Sequence, residues 1–238
     1  MLWLSRKDIE HISRRLLRDY LKKVPQKVDH IDPTDFAEKM CGLQFTFADI
    51  SEAHDAIGLT ATSGVIITIP QRDGTRLDYE LDGKTAFIDQ SLVAENQIGR
   101  LNFTMMHEAA HQLFWMLYPE EYEVQTPRCV FRMADEHTQY PVLDWEEWQT
   151  NVLTSFLLLP KDLVYRHMAD VGLKDGIGVP NRIYARKDYE CFSEAAKRLG
   201  VSKTALAIRS SQLGLVGRND LYDPYALVDI FPEKNEIA

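Results

Sequence analysis

From about Ala94 to Tyr118 the chain repeats apolar side chains every three or four positions: Ile98, Leu101, Met105, Ala109, Leu113 and Met116. That rhythm makes one continuous buried stripe and predicts a long central helix. Pro119 ends it. Inside the helix stands Met106-His107-Glu108-Ala109-Ala110-His111-Gln112, an HExxH segment. Residues four apart lie one turn apart on one face, so His107 and His111 can grip a single zinc ion. Glu108 then points near a water on that ion and can take its proton. The plainer alternative is two core histidines beside a glutamate, but burying all three on one helix without partners is costly. Zinc needs a third protein ligand and leaves a fourth position for water. The extended pattern HExxHxxGxxH requires a glycine and then a histidine where this chain has Phe114 and Leu117, so it is excluded.

The third ligand is sought on the next helix. Asp144-Trp145-Glu146-Glu147-Trp148-Gln149-Thr150-Asn151 puts two adjacent carboxylates on an otherwise apolar helix that runs to Leu159 and closes at Pro160. Either Glu146 or Glu147 can ligate; a solvated acidic helix start is the competing reading. Asn151 lies four residues after Glu147 on the same face, where a hydrogen bond from it can orient a ligand. That favours Glu147 slightly.

Around these two helices the chain reads as α+β. Residues 7 to 24 form a helix with Ile9, Ile12, Leu16 and Tyr20 on one stripe and a solvated basic face of Arg14, Arg15, Arg18, Lys22 and Lys23. Asp32-Pro33 starts a second helix that stops at Gly42. Thr62–Ile69, Arg76–Leu81 and Lys84–Asp89 read as strands joined at Asp73-Gly74 and Asp82-Gly83, a three-stranded antiparallel meander. Thr85–Ile88 is then a candidate sheet edge for pairing with an extended substrate. Residues 119 to 143, with Pro127 and Pro141, read as a long surface loop. After Pro160 a helix covers Lys161 to Met168, and a pair covers Ser193–Leu199 and Lys203–Leu213.

Lys and Arg total 27 against 36 for Asp and Glu, a net charge of −9, which argues against a free-standing nucleic-acid binder. The tail pair carries Lys197, Arg198, Lys203 and Arg209 and has the outline of a helix-turn-helix, but the charge favours a packed structural pair. Cys41, Cys129 and Cys191 are odd in number and far apart, so they read as inert thiols in a reducing compartment. The start MLWLSRKDIEHISRR lacks a signal-peptide core, and no run reaches membrane-span length. The expectation is a cytoplasmic protein. His11, His30, His54 and His167 have no metal-ligand spacing and read as surface or structural residues.

His107-Glu108-x-x-His111 together with Glu147-Trp148-Gln149-Thr150-Asn151 and the ending Leu157-Leu158-Leu159-Pro160 resembles the ImmA/IrrE family of metallo-endopeptidases. The family's ligand glutamate falls on Glu147 and its asparagine on Asn151. Thr150 stands at the family's small residue, Leu153 at its phenylalanine and Leu159 at its methionine. The tail, from Ser193-Glu194-Ala195-Ala196 through Ser202 to Leu213-Gly214-Leu215, is similar to the family's closing helical pair. The resemblance implies a zincin-like α+β domain in one compact unit. Residues 1–58 would be an N-terminal helical region, 59–170 the zinc peptidase core, and 171–238 the helical pair and tail. It also implies a bacterial, phage or mobile-element enzyme that cuts a regulatory protein such as a helix-turn-helix repressor, with Zn2+ on His107, His111 and Glu147 and Glu108 as general base. Among donors for the oxyanion, His137 is preferred over Tyr140, Tyr118 and Tyr122. The rival reading is a non-catalytic regulator that binds a repressor or antitoxin through the same fold. A pure binder has no need of Glu108.

Overall fold

The computed structural model describes residues 3–25, 27–71, 73–122, 129–133, 145–178 and 185–217. It divides into two compact units, residues 1–158 and residues 159–238. Among the described residues it is an α+β fold of seven α-helices, a mixed four-stranded sheet and a two-stranded antiparallel one.

In the first unit, α1 (Arg6–Lys23) opens with a capping box between Ser5 and Asp8 and buries Ile9, Leu16, Leu17 and Tyr20. α2 (Pro33–Cys41) starts on the Asp32 side chain and stops at Gly42 in the left-handed conformation, φ 67°. The Tyr20 hydroxyl donates to Asp35 at 2.7 Å, tying the two helices together.

The four-stranded sheet runs in the order β1 (Gln44–Ala48), β5 (Thr85–Asp89), β2 (Ala56–Ala61), β6 (Cys129–Met133). β5 pairs in parallel with β1 and antiparallel with β2. The hairpin β3 (Ser63–Pro70) and β4 (Arg76–Asp82) stands as a separate sheet. The expected three-stranded meander is therefore corrected: its first two strands are this hairpin, and its third leaves at Asp82-Gly83 for the other sheet. The reason is burial. β4 is exposed along almost its whole length, whereas Ala86, Phe87 and Ile88 of β5 are buried. A buried strand must pair its backbone N–H and C=O groups along both edges, and β1 and β2 supply the partners. Thr85–Ile88 is accordingly an interior strand with both edges occupied, and it cannot accept an added chain. β1 and β2 add strands after Gly42 where the sequence reading places none before Thr62, and β6 replaces loop over Cys129–Met133.

Helix α3 (Ile98–Leu117) lies across one face of this sheet, meeting Ile57, Ile88 and Leu92 through Met105, and Ala37, Leu43 and Ala86 through Ala109. The hairpin covers the opposite face: Ile67, Ile69 and Leu81 pack on Leu59, Ala61 and Phe87. β2 is thus buried on both sides, with Leu59 and Ala61 toward the hairpin and Gly58 and Thr60 toward α3. The Gln112 amide donates to Thr60 Oγ1 at 2.8 Å and to the Ala61 carbonyl at 3.0 Å, satisfying polar groups inside this contact. α4 (Trp145–Leu158) packs along α3 and also on α1, where Gln149 Oε1 accepts from the Leu4 amide at 2.9 Å.

The second unit holds α5 (Lys161–Asp170), α6 (Arg186–Arg198) and α7 (Lys203–Gln212). α6 begins earlier than Ser193 because Tyr189 and Phe192 extend its buried stripe, and Arg186 pairs with Glu190 one turn on. Leu199 and Leu206 are buried and Leu213 half-buried. Arg209 is buried too, and its Nε donates to the Leu159 carbonyl at 3.1 Å.

Candidate metal centre

The α3 turn brings the two imidazoles together, with Nε2 of His111 3.1 Å from Nε2 of His107. α4 brings Glu147 against both: Oε2 is 3.2 Å from His107 Nε2 and Oε1 is 3.0 Å from His111 Nε2. The histidines are buried and the Glu147 side chain is 30% exposed, so the group closes on the protein side and opens on the other. The two Nε2 atoms stand 3.1 Å apart and each has its own Glu147 oxygen at 3.0–3.2 Å, spacings of the size found between ligand atoms of a small coordination tetrahedron. Zinc bonds of about 2.0–2.1 Å set ligand corners about 3.3 Å apart. This His-His-Glu group can hold a metal ion.

Glu146, the adjacent carboxylate, goes elsewhere. Its Oε1 accepts from Trp115 Nε1 at 3.0 Å and stands 3.5 Å from His111 Nδ1, on the side of the ring away from the triad. Thr150 Oγ1 lies 3.4 Å from the same nitrogen. A carboxylate behind a ligating imidazole fixes its orientation and raises its basicity. The choice left open by sequence falls to packing: two successive helix residues point about 100° apart, and only Glu147 faces both Nε2 atoms.

Glu108 is fully buried, and among the described residues neither of its carboxylate oxygens has a hydrogen-bond partner. Burial pushes its pKa up to about 8. The carboxylate fits because β2 carries glycine opposite it. A Cβ on Gly58 would meet Glu108 Oε1 at 2.3 Å and Thr104 Cγ2 at 2.7 Å. The other pKa values divide according to neighbours. Burial, then the Arg132 charge, holds His107 down at about 3. Burial opposes a charge on His111 as well, but the Glu146 and Glu147 carboxylates raise it to about 9. Burial works against ionised Glu147, yet hydrogen bonds from His107 and His111 hold its pKa well below the usual carboxylate range. Burial pushes the Cys129 thiol up to about 11, with the Glu108 charge adding to it, so Cys129 offers no thiolate.

Asn151 reaches His107 through an intermediary that sequence reading missed. Its Oδ1 accepts from Arg132 Nη1 at 3.0 Å, and the same Nη1 lies 2.7 Å from His107 Nδ1. Arg132 also lies over the Phe103 ring, 5.0 Å from its centroid. Arg132 is on β6, within the stretch expected to be loop; the only signal was a short alternation, Cys129-Val130-Phe131-Arg132-Met133. His137 and Tyr140 lie outside the described residues. Tyr118 is half-buried at the end of α3, and Tyr122 is buried with its ring stacked on Phe114. His54 joins Asp49 and Asp89 in a second group of metal-type side chains. There Asp89 also accepts from the Ile50 and Ser91 amides, so its carboxylate clamps the turns around β5.

No protein-family profile matches this chain, and a search of the curated proteins returns no match. Among the described residues no helix is long and apolar enough to cross a membrane.

Proposed function

We propose that the chain is a zinc-dependent endopeptidase of the ImmA/IrrE type, acting inside the cell on a regulatory protein such as a DNA-binding repressor. The observation that carries this reading is Glu108: a buried carboxylate with no hydrogen-bond partner among the described residues, next to a group of side chains that can hold a metal. A structural site would satisfy or omit that group, because leaving it unpaired is costly. A general base must keep its lone pairs for a proton in transit.

His107, His111 and Glu147 would hold the ion, with Glu146 orienting His111. Bound there, zinc would supply Lewis acidity, bringing the pKa of a water toward 7 and polarising the scissile carbonyl. Glu108 takes the proton of the attacking water and returns it to the leaving amine. Gly58 keeps the space that this carboxylate needs. The first unit carries every residue of this machinery. The second serves as a structural pair: the internal bond of Arg209 to the Leu159 carbonyl supports this role over a DNA-reading one.

The test is co-expression with a candidate helix-turn-helix repressor, following that protein's length on a gel. Shortening by the wild type and not by Glu108→Gln supports the peptidase. An unshortened partner whose regulation is relieved by both proteins would overturn it and favour a binding role.

A further inference from the structure

An imidazole that ligates a metal through one nitrogen carries its proton on the other, and that N–H must face an acceptor. His111 meets this condition. Its Nδ1 faces the Glu146 carboxylate and Thr150 Oγ1, so that when the charged ring gives up a proton Nε2 can be the atom that releases it and faces the metal. His107 does not. Its Nδ1 stands 2.7 Å from a guanidinium nitrogen of Arg132, and a guanidinium has donors only. At that distance Nδ1 has to be the acceptor. The ring proton is then on Nε2, directed at Glu147 Oε2 3.2 Å away. In this arrangement the atom that should bind the metal has no free lone pair.

We propose that Arg132 sets the affinity of this site by competing with the metal for His107. It holds the ring in the tautomer that cannot ligate. A divalent ion binds when the guanidinium leaves Nδ1, the ring proton moves from Nε2 to Nδ1, and Asn151 Oδ1 accepts it. The proton count of the His107 ring does not change. Asn151 is suited to the exchange because its Oδ1 is already bonded to the Arg132 nitrogen that touches the ring. Arg132 is half-buried, with its guanidinium over the face of Phe103. The two residues therefore act in opposite directions, Arg132 against the metal and Asn151 for it. The inference rests on the metal reading above.

The experiment uses the full chain, stripped with chelator, and zinc in competition with a chromophoric chelator. Arg132→Met keeps the apolar stem over Phe103 and removes the donors; it should bind zinc about tenfold more tightly or better. Asn151→Leu should bind about 10–100-fold more weakly. A second measurement needs no variant: nitrogen-15 spectra of the wild-type histidines should show His107 protonated at Nε2 without metal and at Nδ1 with zinc. Zinc binding by the wild type, with Arg132→Met no tighter or His107 already protonated at Nδ1 without metal, overturns this inference alone. Zinc taken up by neither protein overturns the metal reading and this inference with it.

Discussion

Gly58 on β2 and Glu108 on α3 face each other so closely that one added methyl group would come within 2.3 Å of Glu108 Oε1. The strand and the helix are held at that spacing by packing on both faces of β2. Gly58→Ala therefore has to move either the carboxylate or the strand. A cost of about 1–3 kcal/mol is expected, as for other overpacked sites, with hydrolysis lost while zinc content is kept. Chemical unfolding and metal analysis on the same sample check this; unchanged stability together with full activity would count against the close approach.

The buried Glu108 carboxyl makes the metal-free chain sensitive to alkali. Its pKa rises from 4.5 unfolded to about 8 folded. The folded state thus holds a proton that the unfolded state has released. The stability linked to it is fully present below pH 4.5 and is lost as pH rises toward about 8. His111, raised to about 9, acts in the same direction above 6.5. His107, lowered to about 3, acts the opposite way between those limits, losing stability as pH falls below 6.5. Glu108→Gln removes only the first contribution. In chelator, its melting temperature relative to wild type should increase between about pH 5 and about pH 8. A difference that is flat with pH would refute the buried, unpaired carboxyl.

Glu146 and Glu147 are neighbours in sequence with different tasks. Glu147→Ala removes the carboxylate whose two oxygens face the two Nε2 nitrogens, and stoichiometric zinc should be lost. Glu146→Gln leaves the triad complete and weakens the charge behind His111. Affinity should fall by about 10–100-fold with one zinc still bound at saturation. Equilibrium dialysis separates the two outcomes, and a reversed pattern would make Glu146 the ligand.

Arg209 belongs to the interior of the second unit. Arg209→Met keeps the stem and deletes the bond to the Leu159 carbonyl, which should cost about 1–3 kcal/mol of stability. Zinc content should not change. Urea unfolding followed with a zinc assay tests both, and an unaltered midpoint would show that this bond contributes no net stability.

What could be read from sequence was local. The 3.6-residue rhythm placed α3 within a few residues of its ends, and the spacing of His107 and His111 put both rings on one face, because i and i+4 are neighbours on any α-helix. The stripe of Ile9, Ile12, Leu16 and Tyr20 placed α1, and caps and breakers such as Asp32, Gly42 and Pro160 bounded α2 and the end of α4. Long-range pairing was not legible. β2, AIGLTA, is covered on both faces and so shows no alternation, while β1 is only five residues long and partly exposed and β6 lies in a stretch that reads as loop. With those three strands unseen, β5 had no partners to choose except its neighbour along the chain. The choice of Glu147 over Glu146, the glycine opposite Glu108 and the guanidinium on His107 were likewise decided only by tertiary structure. Each depends on which faces of two separate elements meet, and contacts between residues 25 to 50 positions apart leave no periodic trace in the chain. Sequence determined that this protein presents two histidines and a glutamate on one helix; only the packing of β2, β6 and α4 around that helix decided what those side chains touch.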